Sequence, residues 1–269
     1  MKRHLLAVAG LALAVGVTAH PADAATRKWA PVGSAKVHPG VQTVTKDSQC
    51  TANFVFTAGT SVYLGQAAHC SSTGGSTSTN GCNTGSWPVG TPVSVAGYTG
   101  TMVYNSWLAM KAAKTTDAST CAYNDLALIK LPAAAIATTN PSIPVYGGPT
   151  GLGGGTSTFE NVYSYGNSGL RFGLTPTSPK RGISLGDAAG GWTTTVYTAT
   201  PGIPGDSGSG FLDSKGRAFG VLSTIGLYPM PADNGVGNLA KEIAFARAHG
   251  VPGLTLVNGT APFTPNAVA

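Results

Sequence analysis

Pro204-Gly205-Asp206-Ser207-Gly208-Ser209-Gly210 is the stretch on which the reading of this chain turns. Ser207 is embedded in glycines, which let backbone N–H groups converge on one point beside its hydroxyl. A serine hydroxyl is a poor nucleophile until a base takes its proton, so Ser207 needs an imidazole and a group to orient that imidazole. Two segments upstream offer both. Gln66-Ala67-Ala68-His69-Cys70 sets a histidine among small residues beside a cysteine, and Asn124-Asp125-Leu126-Ala127-Leu128-Ile129 sets a carboxylate at the start of a buried-looking strand. An imidazole titrating near neutrality can take the Ser207 proton and later return it to a leaving amine. A buried carboxylate then fixes the imidazole tautomer, and backbone N–H groups can hold an oxyanion, which is the chemistry of acyl transfer.

The surroundings of these segments read as short strands. Residues 53–57, 61–65, 92–96 and 126–131 are β-rich runs separated by Gly, Pro, Asn or Ser-Thr clusters. A second series covers 160–165, 192–198, 210–212 and 218–223. Between the series, Pro132 to Gly155 is rich in Ala, Pro and Gly and reads as a connection. Long alternating helices are lacking, which argues against a parallel α/β sheet. One helix is expected over 238–249: Leu239, Ile243 and Ala246 follow the capping candidate Asn238, and His249-Gly250 ends the pattern. Leu254 to Val257 could add a strand in the tail 251–269. Residues 25–49 are polar and read as an irregular arm or a short processed segment.

In order and in kind, the three motifs resemble those of the chymotrypsin/trypsin-like serine proteases, over about three quarters of the chain. The resemblance implies an all-β fold of two antiparallel six-stranded barrels, the first over 50–135 and the second over 156–250, with 136–155 between them. It also implies His69 as general base, Asp125 as its orienting acid and Ser207 as nucleophile. Gly205 and Ser207 would donate backbone N–H groups to the oxyanion, Asp206 would be a buried structural acid, and Ser223 would lie on the substrate-binding strand with Thr224 and Ile225 as a wall. The family fixes a primary pocket six residues before the nucleophile, here Pro201. With no acid evident there, cleavage after apolar or small residues is expected rather than after Lys or Arg. Gln66 and Ser209-Gly210 depart from the commoner pattern toward secreted bacterial members such as the streptogrisins and alpha-lytic protease. An Ile-Val-Gly-Gly-like activation start does not occur, which leaves open how Asp206 is satisfied; Arg171 is the suggested partner.

Composition bounds the rest. Only 10% of the 269 residues are charged against 42% apolar, with a mean hydropathy of +0.11, so disorder is excluded. The formal charge is +6. Lys2 and Arg3, an apolar run from Leu5 to Val17 and Ala22-Asp23-Ala24 form a secretory signal over residues 1–24. Its removal takes two basic groups and one acid and leaves +5. Those charges are scattered, so neither a nucleic acid nor a membrane is expected as a partner; protein or peptide substrates are, for an extracellular monomer. Cys50, Cys70, Cys82 and Cys121 in an exported chain suggest two disulfides, with three pairings open from the spacing alone. The family's bridge beside the histidine implies Cys50–Cys70, which leaves Cys82–Cys121. A zinc site of His69, Cys70 and Cys82 lacks ligand spacing; no metal and no cofactor is expected.

The rival reading is Gly182-Ile183-Ser184-Leu185-Gly186, which matches the nucleophile elbow of α/β-hydrolases and is followed by acids and His249 in that order. It lacks the apolar strand before and the helix after that an elbow requires. A catalytically silent binding module on the same fold is a further alternative. His38 and His249 read as surface side chains, and Trp87, Trp107 and Trp192 as packing residues. Asn258-Gly259-Thr260 is a glycosylation sequon.

Overall fold

The computed structural model describes residues 27–75, 79–226 and 231–266. The secretory signal read over residues 1–24 lies outside them. The first half contains β1 (Gln42–Thr45), β2 (Ser48–Thr51), β3 (Val55–Ala58), β4 (Ser61–Ala67), β5 (Pro92–Val95), β6 (Tyr98–Asn105) and β7 (Leu126–Lys130). All pair antiparallel, in the order β3-β4-β7-β6-β5-β1-β2. Its two ends, β2 and β3, are one stretch of chain interrupted only by Ala52 to Phe54, so six lengths of strand wrap around one core. Val55, Val62, Leu64, Val93, Val95, Met102 and Ile129 fill it.

The second half is a closed six-stranded barrel. It is built from β8 (Asn161–Tyr165), β9 (Pro179–Ala188), β10 (Thr193–Thr198), β11 (Gly210–Leu212), β12 (Ala218–Ile225) and β13 (Asn234–Asn238), in the order β10-β13-β12-β11-β8-β9. Val162, Val196, Phe211, Phe219, Leu222 and Val236 form its interior. A third cluster runs between the halves and joins Phe54, Tyr104 and Leu126 of the first to Tyr163, Leu212 and Val221 of the second, with Leu239 and Ile243 from the C-terminal helix. Two barrels with a cleft between them follow from this division of the apolar residues into two interiors and one seam.

Short helices decorate this frame: α1 (Ser106–Ala112), α2 (Ala118–Tyr123), α3 (Ala133–Ile136) and α4 (Leu239–Ala248). The Asn238 side chain accepts the Lys241 N–H at 3.1 Å and caps α4, the role its sequence position suggests. Leu239, Glu242, Ile243 and Ala246 are the buried face of that helix. The tail contributes β14 (Thr255–Leu256), which pairs antiparallel with β3.

The span 25–49 departs from its reading as an arm. Residues 27–41 are largely irregular, but β1 and the start of β2 lie within the span, with Thr43 and Thr45 facing inward. Threonine is favoured in strands by its branched Cβ, and hydropathy alone does not register it.

The two disulfides are Cys50–Cys70 and Cys82–Cys121, closing separations of 20 and 39 residues. The first ties β2 to the turn that carries His69. The second ties the start of the 82–121 excursion to α2, just before Asp125. In the chain-entropy picture the longer closure restricts the unfolded state by about 4 kcal/mol. Replacing Cys82 and Cys121 together by alanine is therefore expected to lower the unfolding free energy by about 3–4 kcal/mol, read by urea denaturation against the parent protein with both bridges intact.

Candidate active site

His69 sits in the single 3₁₀ turn that follows β4, and Asp125 immediately precedes β7, the strand hydrogen-bonded to β4. Adjacent strands thus bring two residues 56 positions apart into contact. The His69 ring donates from Nδ1 to Asp125 Oδ2 at 2.7 Å, and the His69 backbone N–H donates to Oδ1 at 2.9 Å. Ser223 of β12, from the other barrel, donates its hydroxyl to Oδ2 as well. The Ala68 N–H bonds the Asp125 carbonyl at 2.9 Å. The carboxylate therefore receives donors from both halves. Its side chain is only 4% exposed, that of His69 24%. Burial pushes the imidazole toward its neutral form, but the charge and hydrogen bond of Asp125 outweigh that and hold its pKa above the ordinary histidine value.

Ser207 is held by a loop that threads between the barrels. The Thr51 N–H donates to the Ser207 carbonyl at 2.8 Å, and the Gly208 N–H donates to Leu222 O at 2.7 Å. The Gly205 carbonyl accepts from the Thr51 hydroxyl at 2.8 Å and from Gln49 Nε2 at 3.1 Å. This turns its peptide so that the carbonyl faces the first barrel. Gly205 and Gly208 have φ of +94° and +89°, and a Cβ on Gly208 would come within 2.5 Å of Thr51 O and 2.7 Å of Ala67 N. Only glycine serves at that close approach. His69 and Ser207 line one cleft of about 500 Å³, although no hydrogen bond joins the Ser207 hydroxyl to the imidazole in this conformation. Such contacts commonly tighten only when substrate is present.

Asp206, next to the nucleophile candidate, is wholly buried. Its Oδ1 accepts the Ser168 N–H at 3.0 Å; its Oδ2 accepts Arg171 Nη2 at 2.5 Å, Lys180 Nζ at 2.8 Å and the Ile203 N–H at 3.1 Å. The expected partner Arg171 is there, joined by Lys180, which sequence reasoning missed. Lys180 is 0% exposed, and its ammonium also donates to the carbonyls of Thr200 and Pro201. Burial alone would raise the Asp206 pKa; the Arg171 hydrogen bond and the Lys180 charge reverse that and hold it below the usual carboxylate range. For Lys180, burial prevails over Asp206 and its pKa is lowered.

The other sequence candidates separate clearly. The Pro201 carbonyl turns away from the cleft to accept from Arg171 and Lys180, while Thr224 and Ile225 end β12 and Ile225 is 47% exposed. The cavity at His69 and Ser207 is lined instead by Lys46 and Gln49 of the β1–β2 hairpin and by Trp87. Trp87, expected as a packing residue, is 39% exposed and lies under Lys46, whose Nζ is 5.2 Å from the ring centroid. Ser184 is overturned as a nucleophile: it is fully buried within β9, and its hydroxyl oxygen accepts the Thr156 hydroxyl and the Gly186 N–H. A strand interior offers it neither the exposed turn nor a base, and His249 is an exposed residue stacked on Phe245. Cys50, Cys70 and His69 are neighbours, but both sulfurs are spent in a disulfide.

No protein-family model and no curated protein matches the sequence. Solved structures match in shape. Thermobifida fusca protease A superposes with a TM-score of 0.55 at 18% identity, over 83% of this chain and 99% of that one. A glutamic acid specific serine protease gives 0.52 at 16%, over 80% and 100%. Nocardiopsis protease gives 0.50 at 16%, over 82% and 98%. The chain has the chymotrypsin fold. Within that fold, the first barrel carries His69 and Asp125 and the second carries Ser207 and Ser223.

The Asp206 cluster generates a pH expectation. Because its folded pKa is depressed, Asp206 contributes stability that is complete above its unfolded value of about 3.9 and is lost as pH falls through the lower folded value. Urea unfolding of the parent protein should therefore weaken below about pH 4 more steeply than that of Asp206→Asn. At pH 7, Lys180→Met and Arg171→Ala should each cost about 3 kcal/mol or more, since each leaves a buried charge partly uncompensated.

Proposed function

We propose that this protein is a secreted serine endopeptidase that cleaves protein or peptide chains through an acyl-enzyme. The carrying observation is the hydrogen-bonded His69–Asp125 pair facing the same cleft as Ser207. In this reading His69 Nε2 takes the Ser207 proton as the hydroxyl oxygen attacks the substrate carbonyl. Negative charge gathers on the former carbonyl oxygen, and the backbone N–H groups of Gly205 and Ser207 receive it. Collapse breaks the C–N bond, with His69 giving its proton to the departing amine. Water, activated by the same imidazole, then releases the acid and restores the Ser207 hydroxyl. Asp125 keeps Nδ1 protonated and offsets the imidazolium charge, a function its three donors suit it for.

The primary pocket on this reading is bounded by Pro201, Gly202, Thr224 and Ile225. Asn234 accepts the Gly202 N–H at 2.8 Å, and a Cβ on Gly202 would meet Leu222 at 2.8 Å. An amide and a leucine close that space beside Gly202, which supports small or apolar side chains there, while the buried Asp233 carboxylate lies against Gly226 beyond Ile225. Two disulfides accord with an extracellular destination.

The test is direct. Ser207→Ala should abolish both casein hydrolysis and labelling by a fluorophosphonate probe, whereas Ser184→Ala should keep both apart from any loss of stability. A folded parent protein inert to casein and probe alike would overturn the reading in favour of a binding module. A peptide-library digest is expected to show small or apolar residues at the cleaved position; a majority of Arg or Lys there would overturn the specificity.

A further inference from the structure

Behind Asp125, on the side away from His69, lies a second carboxyl that the reaction as derived does not use. Glu242 is on the first turn of α4 and is 0% exposed. Its Oε1 accepts the backbone N–H of Asp125 at 2.9 Å, across 117 residues of sequence. The site is closely built around it. A Cβ on Gly237 would come within 2.7 Å of Glu242 Oε1 and 2.9 Å of Tyr123 O, so β13 leaves room for this carboxyl by carrying glycine there. The titratable side chains that face it are Asp125 itself and Tyr104 of β6, also buried. No cation is among them. Burial, and secondarily the Asp125 charge, push the Glu242 pKa well above the ordinary glutamate value. Burial and the neighbouring Asp125 charge therefore both disfavour a second negative charge here, and Oε1 serves as an acceptor for the Asp125 N–H.

The α4 frame makes this contact more than packing. Asn238 fixes the start of the helix, Leu239 and Ile243 bury it in the seam between the barrels, and Glu242 projects from the same face. Asp125 is otherwise tied through its carboxylate to His69 and Ser223 and through its carbonyl to Ala68. Its N–H is the remaining tether, and Glu242 is what holds it. We propose that Glu242 is a positioning residue for the reaction, acting through Asp125: the C-terminal helix sets the orienting acid from behind and so aims the imidazole at Ser207. The proposal rests on the serine-protease reading above for its consequence in turnover.

Displacement of a reacting group by about 1 Å can cost about 100-fold in rate, so withdrawing the acceptor should be visible in kcat. Three variants separate the roles. Glu242→Gln keeps a neutral carbonyl acceptor and is expected to retain kcat within about threefold of the parent. Glu242→Leu removes the acceptor, and Glu242→Asp draws it back by one methylene. Both are expected to lose at least about tenfold in kcat with KM nearly unchanged. In both, the His69 pKa, read by proton NMR titration of the imidazole, should fall as its contact with Asp125 loosens, and the acid limb of the rate profile should move down with it. If Glu242→Leu does not fold, Glu242→Asp decides in its place. A folded acceptor-deleting variant with parental kcat and His69 titration overturns the proposal, as does a Glu242→Gln variant as impaired as Glu242→Asp. The NMR titration needs no substrate. A parent protein inert toward casein and probe, whose His69 pKa nonetheless falls in Glu242→Asp, would overturn the protease reading and leave the positioning contact standing.

Discussion

A carboxylate taken out of water must find its compensation inside the protein, and the layout of both barrels around the cleft follows from where Asp125 and Asp206 find theirs. Asp125 draws donors from the His69 turn and from Ser223 of the opposite barrel, so its satisfaction requires the two halves to be docked. Asp206 draws on Ser168, Arg171, Lys180 and Ile203, all within the second half, and thereby fixes the loop that presents Ser207. One acid registers the barrels against each other; the other shapes a loop within one of them. In a chain with so few charges, these sites concentrate much of the buried electrostatics in the structure.

The two cations on Asp206 differ in kind. Arg171 presents a planar fork that reaches Oδ2 and the Pro201 carbonyl together. Lys180 is a point charge whose donors are shared between Oδ2 and two carbonyls of the segment before the nucleophile loop. The carboxylate, the backbone of Thr200 and Pro201, and the N–H of Ile203 therefore form one network. Its effect is to hold residues 200–207 in a set conformation.

The three motifs at the cleft stood out in the sequence because their combinations are rare: a serine among glycines, a histidine beside a cysteine, an acid opening an apolar strand. The helix from Leu239 was legible through its capping asparagine and its 3.6-residue repeat. What escaped was polar residues doing inward work. Thr43 and Thr45 line a barrel interior without looking apolar, so β1 merged with the arm. Lys180 follows a proline and precedes an arginine, a context that reads as loop, and only barrel closure by β9 buries it. Glu242 did leave a signal: with Leu239, Ile243 and Ala246 it occupies positions i, i+3, i+4 and i+7, an acid on the apolar stripe of its helix. Contacts around Gly202 were the least legible, because its N–H is held by Asn234, distant along the chain and adjacent only after β12 and β13 pair.

The tail strand β14 has a bearing on how the molecule comes together. It lies against β3 in the first barrel, and farther on Thr264 donates its N–H to Tyr146 O. The sheet of the first barrel is thus finished by residues that follow the whole of the second barrel in sequence. Contacts of such wide separation carry a large loop-closure cost and slow the search for the native topology. A nascent chain emerging from its N-terminus can collect β1 to β7 but cannot complete that sheet, nor dock α4 behind Asp125, until the remainder has followed.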